Sequence, residues 1–156
     1  MTVTAVAIAG ASGKMGRMLF EACASDAETT LVAALDAAQS PTVGVSARAF
    51  GGNADVSIVS DAARVPRGAV LIDFTRPEAT LAYLDACVTG GVGMVIGTTG
   101  FDEAGKAKIA EAAKKIPIVF SPNYSVGVNT VFNCSNLRPD RSMRATTSKS
   151  LKCITA

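Results

Sequence analysis

The stretch VTAVAIAGASGKMGR, residues 3–17, decides the fold. Val3 to Ala9 is a short, nearly continuous apolar run that stops at a glycine, as a strand buried on both faces of a parallel sheet does. Behind the glycines, Met15, Met18, Leu19, Ala22 and Cys23 recur at helical spacing, which predicts an amphipathic helix with that face inward. Thr29 to Asp36 (TTLVAALD) reads as a second strand, completing a βαβ unit with a right-handed crossover.

Gly10-Ala11-Ser12-Gly13-Lys14-Met15-Gly16 is G-x-x-G-x-x-G, a weak signal by itself. Here it leaves a buried strand, opens a helix and is followed 20 residues after Gly16 by Asp36 at the end of the second strand. That setting predicts a dinucleotide site, in which backbone N–H groups and the helix N-terminus face a pyrophosphate and the Asp36 carboxylate accepts from adenosine ribose hydroxyls. The competing reading is a glycine turn needed only for packing. Agreement among strand, glycines, helix and acid favours the binding site.

The pattern continues outward. Residues 37–55 are glycine-rich and weakly patterned, a long surface connection, and Val56 to Ser60 suggests a short strand. Ala69 to Asp73 (AVLID) is a stronger one. Thr75 and Glu78 then read as a capping box with Pro77 in the first turn of a helix that turns Leu81, Leu84 and Val88 inward and stops at Gly90-Gly91. Val92 to Ile96 is a strand, Asp102 caps a helix to about Lys115, and Ile116 to Phe120 is the next strand. Strands and helices alternate throughout, so the fold class is α/β, a doubly wound parallel sheet. The loops Gly97-Thr98-Thr99 and Ser121-Pro122-Asn123-Tyr124 each follow a strand and so belong at the carboxyl edge, where small residues let a nicotinamide ribose and ring approach; taken alone, each could be an ordinary connection. Phe74 and Thr75 hold a similar position, with Arg76 read as a surface residue at a helix start.

Composition narrows the partners. With 49% apolar and 18% charged residues among 156, the chain has enough apolar content for one globular domain with a core. No apolar run reaches the roughly 18 residues of a membrane span, and the N-terminus lacks the basic start of a signal peptide, so a cytoplasmic location and no membrane partner are expected. There is no histidine, which removes the commonest general acid and metal ligand, and the four cysteines match no zinc spacing, so no metal is expected. The formal charge of +2 hides a split: residues 133–156 carry five Lys or Arg against one Asp, leaving residues 1–132 net acidic. No aromatic residue accompanies those basic ones, so no nucleic acid partner is expected.

VAIAGASGKMGR, IDFTRPEAT, GMVIGTTGFDEAGK and SPNYSVGVN together resemble bacterial dihydrodipicolinate reductases, also called 4-hydroxy-tetrahydrodipicolinate reductases, over about Val6 to Phe132. The resemblance implies a Rossmann-type domain and an NAD(P)-dependent oxidoreductase of diaminopimelate and lysine biosynthesis. It places Gly10 to Met15 at the pyrophosphate, Asp36 at the adenosine ribose, and Gly97 to Thr99 with Ser121 to Tyr124 at the nicotinamide half. Many members carry Arg after the acid, where it can pair with a 2′-phosphate; here that residue is Ala37, so NADH is the expected preference, with NADPH possible. Lys14 or Arg17 could partly compensate.

Beyond Phe132 the family pattern is lost. Members continue into a strand near D-I-E-I-I-E, then H-H-R and K-x-D-A-P-S-G-T, the proton-donating and carboxylate-binding groups of an α+β second domain that also builds a homotetramer. Read one base out of frame, Ala145 to Ala156 permits codons for the strand and His-His-Arg of that pattern. The expected organisation is therefore a dinucleotide-binding domain over 1–132 and an aberrant, frameshifted and disordered tail over 133–156. No catalytic residue is assigned, and neither turnover nor a tetramer is expected of this chain. A stand-alone NAD-binding module without catalysis is the alternative.

Overall fold

The computed structural model describes residues 3–136 and 152–154. Its strands are β1 (Thr4–Ala9), β2 (Thr29–Leu35), β3 (Ile58–Val59), β4 (Val70–Asp73), β5 (Gly93–Ile96), β6 (Ile118–Phe120) and β7 (Lys152–Ile154), and its helices are α1 (Lys14–Ser25), α2 (Pro77–Gly90), α3 (Glu103–Ala112) and α4 (Val126–Asn136). The sheet order is β3-β2-β1-β4-β5-β6-β7, parallel except for β7, which runs antiparallel to β6. The order reverses between β1 and β4, so a crevice opens beyond their carboxyl ends.

Alternation along the strands sorts the core into two layers. Val6 and Ile8 pack with Leu31, Ala34, Ile58 and, from α1, Phe20 and Cys23. Ala7, Ala9 and Leu35 face the other side, with Leu71, Met94, Ile96 and Ile118 under Leu84 and Cys87 of α2 and Ile109 and Ala112 of α3. Helices thus cover both faces of the strands, and buried residues run through β1 without a polar side. No described helix is long and apolar enough to cross a membrane.

Several local expectations are corrected. On α1 the buried residues are Gly16, Phe20 and Cys23, whereas Met15 and Met18 are 43% and 59% exposed. The true inner face is centred on a glycine, which a hydrophobic pattern does not mark. At α2 the capping box does not form: Arg76 is the N-cap with no side-chain bond, and the Thr75 hydroxyl is drawn instead to Asp73. The Asp102 cap of α3 is present, its Oδ1 accepting from Gly105 N–H at 2.7 Å. That helix ends at Ala112 rather than Lys115, because the N–H groups of Lys115 and Ile116 both turn back to the Ala112 carbonyl as the chain enters β6. The second half of the 37–55 connection holds a 3₁₀ turn over Ala47–Phe50.

Secondary structure also occurs within residues 133–156, which the sequence pattern leaves without any. Helix α4 continues to Asn136, started by Ser125, whose Oγ accepts from Val128 N–H, and Lys152–Ile154 pairs with the edge strand β6. A strand edge is a ready template for any extended segment. The expectation of disorder for residues 137–151, 155 and 156 lies outside the described residues.

Candidate functional site

The crevice at the β1/β4 switch holds an open groove of about 680 Å³. Its floor is the β1–α1 loop. Gly10 takes φ +71°, a conformation other residues rarely adopt, and a Cβ there would meet the Thr75 Cγ2 at 2.9 Å. Gly13 N–H closes the turn on the Gly10 carbonyl at 2.9 Å. A Cβ at Gly16 would stand 2.3 Å from the Gly10 oxygen, so this glycine lets α1 start directly against the loop. Helix α1 begins without a side-chain cap, and Gly13 to Gly16 line the groove, an arrangement that offers free first-turn N–H groups to an anion.

Asp36 forms one wall. Its Oδ2 accepts from Ser12 N–H at 3.1 Å and from the Thr42 hydroxyl at 3.2 Å, and its Oδ1 accepts from Ala37 N–H at 2.8 Å. Partial burial pushes the carboxyl up, but the bonds from Ser12, Ala37 and Thr42 outweigh it and hold Asp36 below the ordinary carboxylate value. A lowered carboxyl contributes stability that is present above its unfolded value and lost as pH falls through the folded one. Asp36→Asn should therefore flatten the acid limb of a melting-temperature profile between pH 6 and 2; a limb as steep as the wild type's would remove Asp36 from that account.

The opposite wall comes from the β4–α2 loop and α2, with Phe74, Thr75, Arg76, Glu78, Ala79 and Tyr83 lining it. Asp73, fully buried at the end of β4, anchors that loop: its Oδ1 accepts from Thr75 N–H at 2.9 Å and from the Thr75 hydroxyl at 2.6 Å. Burial and then the Asp73 charge push the Cys87 thiol up to about 12, so it stays neutral. Burial, followed by Asp73 and Asp36, raises the Tyr83 phenol as well.

The two expected nicotinamide loops lie at the carboxyl ends of β5 and β6 but do not line this groove. They reach it through Phe74. A Cβ on Gly97 would meet the Phe74 ring at 2.0 Å, and that ring packs edge-on against Tyr124 with centroids 5.8 Å apart. Several hydroxyls in these loops serve the scaffold. Thr80 donates to buried Thr98 at 3.0 Å, Ser121 donates to the Asn123 carbonyl, and the Tyr124 hydroxyl lies 3.1 Å from the carbonyls of both Ile96 and Val119. Thr99 and Pro122 are the exposed members.

All the predicted residues thus stand on one edge of the sheet, in two groups. The groove brings together Gly10, Ser12, Gly13, Lys14, Met15 and Asp36; Ala11 is buried beneath it. Sequence reading did not assign Gln39, Glu78 or Tyr83 to the site. Arg76, Ala79 and Tyr83 fall at i, i+3 and i+7, a spacing that could have marked the side of α2 facing the groove. Arg17 sits outside the lining, its guanidinium 5.1 Å from the Phe50 ring centre and its Nε donating to the Ser12 carbonyl. Among the described residues no group of His, Cys, Asp and Glu is placed to hold a metal ion.

Strand order 3-2-1-4-5-6 with a glycine loop and an acid at the switch point defines a Rossmann-type nucleotide-binding domain. Residues 4–124 match the family model for the N-terminus of dihydrodipicolinate reductase, and the chain belongs to that family. It is 55% identical over 134 residues to the 4-hydroxy-tetrahydrodipicolinate reductase of Thiobacillus denitrificans, covering 85% of this chain and 50% of that protein. To the enzyme of the same name from Cupriavidus taiwanensis it is 57% identical over 129 residues, covering 81% and 49%. A solved structure, dipicolinate-bound dihydrodipicolinate reductase from Paenisporosarcina sp., shares the fold with a TM-score of 0.70 at 24% identity, over 88% of this chain and 53% of that one. The chain spans about half the length of the curated relatives it matches.

Proposed function

We propose that residues 1–132 form the cofactor half of a reductase that converts 4-hydroxy-tetrahydrodipicolinate to tetrahydrodipicolinate in diaminopimelate and lysine biosynthesis, with residues 133–156 a separate tail. The observation that carries this is the groove between the Gly10–Gly16 loop and Asp36, inside the stretch matched to the family. A bound nicotinamide dinucleotide supplies the hydride. The α1 N-terminus with Gly10 to Met15 takes its pyrophosphate, Asp36 accepts from the adenosine ribose, and Gly97 to Thr99 with Ser121 to Tyr124 border the nicotinamide end. Phe74 links the two halves, and Gly97 leaves room for its ring.

Turnover also needs a proton donor and a clamp for the substrate carboxylates. The chain has no histidine to match the family's H-H-R. Residues 1–156 are therefore expected to bind cofactor without reducing substrate and without forming the family's homotetramer. Titration of NADH into the 156-residue chain, followed by a turnover assay, tests this. Binding without turnover is expected, and no binding would overturn the reading. Turnover would overturn the stated need for those groups.

The cofactor preference follows from charge. A 2′-phosphate would face the Asp36 carboxylate, the next residue is Ala37 rather than Arg, and Arg17 is engaged over Phe50. Lys14 is the cation left in the loop to offset the repulsion. NADPH is expected to bind roughly ten- to a hundredfold more weakly than NADH at moderate salt. Equal Kd values for the two would sink the preference.

A further inference from the structure

The groove floor is built largely of glycines, and a methionine stands among them. Met15 is the second residue of α1 and lines the groove beside Gly10, Gly13 and Gly16, none of which has a side chain to cover it. Side chains of a helix lean toward its N-terminal end, so the Met15 thioether leans over the first turn and its free N–H groups. Met15 is 43% exposed; Met18, one turn further on, is 59% exposed but stands outside the lining. Cys23, Cys87 and Met94 are buried, and burial followed by the Asp73 charge keeps the Cys87 thiol neutral. Among the described side chains, the oxidisable sulfurs open to solvent are therefore those of Met15 and Met18, and Met15 is the one in the groove.

We propose that Met15 is an oxidation site that governs cofactor binding: a peroxide converts its thioether to the sulfoxide, and the sulfoxide oxygen and the cofactor pyrophosphate exclude one another at the start of α1. The inference rests on the reading that α1 takes that pyrophosphate. The sulfur lone pair attacks one oxygen of hydrogen peroxide, the O–O bond breaks, an S–O bond forms and water leaves with both protons. Sulfur is oxidised by two electrons and the peroxide is reduced by two. The product replaces a weak acceptor with a polar, strong one. Leaning over unbonded N–H groups, that oxygen takes the donors an anion needs. Met18 undergoes the same chemistry away from the groove, at no cost to binding. A methionine sulfoxide reductase returns the thioether, so the change is reversible.

The test is titration of the full 156-residue chain with NADH before treatment with hydrogen peroxide and again after the peroxide is removed, with oxidation at Met15 and Met18 read by peptide mass spectrometry. Both residues should oxidise, and the NADH Kd should rise roughly tenfold or more, the value of one or two hydrogen bonds to a charged group. A methionine sulfoxide reductase should restore it. Met15→Leu should keep its own starting Kd through the treatment, whereas Met18→Leu should lose as much as the wild type. Saturating ADP-ribose, which carries the pyrophosphate, should slow oxidation at Met15 and leave Met18 unprotected. A Met15 that resists peroxide, an oxidised chain that binds as before, a loss the reductase does not reverse, an equal loss in Met15→Leu, or no protection by ADP-ribose overturns the inference and leaves the groove assignment standing. A wild-type chain that takes no NADH before treatment overturns the groove assignment and this inference with it.

Discussion

Gly16→Ala is expected to cost about 3 kcal/mol of stability and to abolish measurable NADH binding. On helix propensity alone the change should be favourable by up to about 1 kcal/mol. Space decides against it. The added Cβ would lie 2.3 Å from the Gly10 carbonyl oxygen and 2.8 Å from that of Ala11, and both are backbone atoms of the loop that forms the groove floor. Neither can rotate away, so α1 must move off the loop, and Phe20 and Cys23, which anchor the helix in the core, move with it. Chemical denaturation of the variant beside Met18→Ala provides the check. Met18 is exposed on the same helix, and its truncation should stay within about 0.5 kcal/mol of wild type. A Gly16→Ala protein as stable as the wild type would mean that the helix does not start against the loop.

Gly97→Ala should act on the site more than on the fold. The backbone at Gly97 is not in the left-handed region, so the substitution brings no conformational strain. The new Cβ would instead occupy the place of the Phe74 ring, 2.0 Å from its Cε1. A ring can rotate out where a carbonyl cannot, so the stability cost is about 1 to 2 kcal/mol. The displaced ring leaves Tyr124 and enters or reshapes the groove it lines, and NADH affinity should fall by more than roughly thirtyfold. Removing the ring as well resolves the conflict: Phe74→Ala/Gly97→Ala should be more stable than the sum of the single changes predicts, by about 1 kcal/mol or more. Additive single effects would show that the two residues do not compete for one space.

What the sequence revealed of this molecule follows physical lines. Strands buried on both faces leave continuous apolar runs, so β1, β2, β4, β5 and β6 were legible, and alternation with helices marked them as parallel, though not in which order they lie. The Gly10–Gly16 loop and Asp36 were legible because their chemistry depends on residue type at fixed spacing. The inner face of α1 was not, since Gly16 contributes approach rather than hydrophobicity. The start of α2 was misread because Thr75 had a stronger acceptor in Asp73, two residues back in the chain and fully buried, than in its own helix. Gln39 reaches the groove through the path of a loop, which is not written in local spacing, whereas the spacing of Arg76, Ala79 and Tyr83 marks one side of α2 without saying what it faces.

The sheet order has a consequence for how the chain comes into being. β1 leaves the ribosome before the other described strands, yet it ends up inside the sheet, with β2 on one side and β4, residues 70–73, on the other. At ordinary synthesis rates its second neighbour emerges on the order of 5 to 10 s later. Until then a strand of alanine, valine and isoleucine stands with one side unpaired, beside a binding loop whose far wall does not yet exist. Nascent chains halted before β4 should be the ones a chaperone holds.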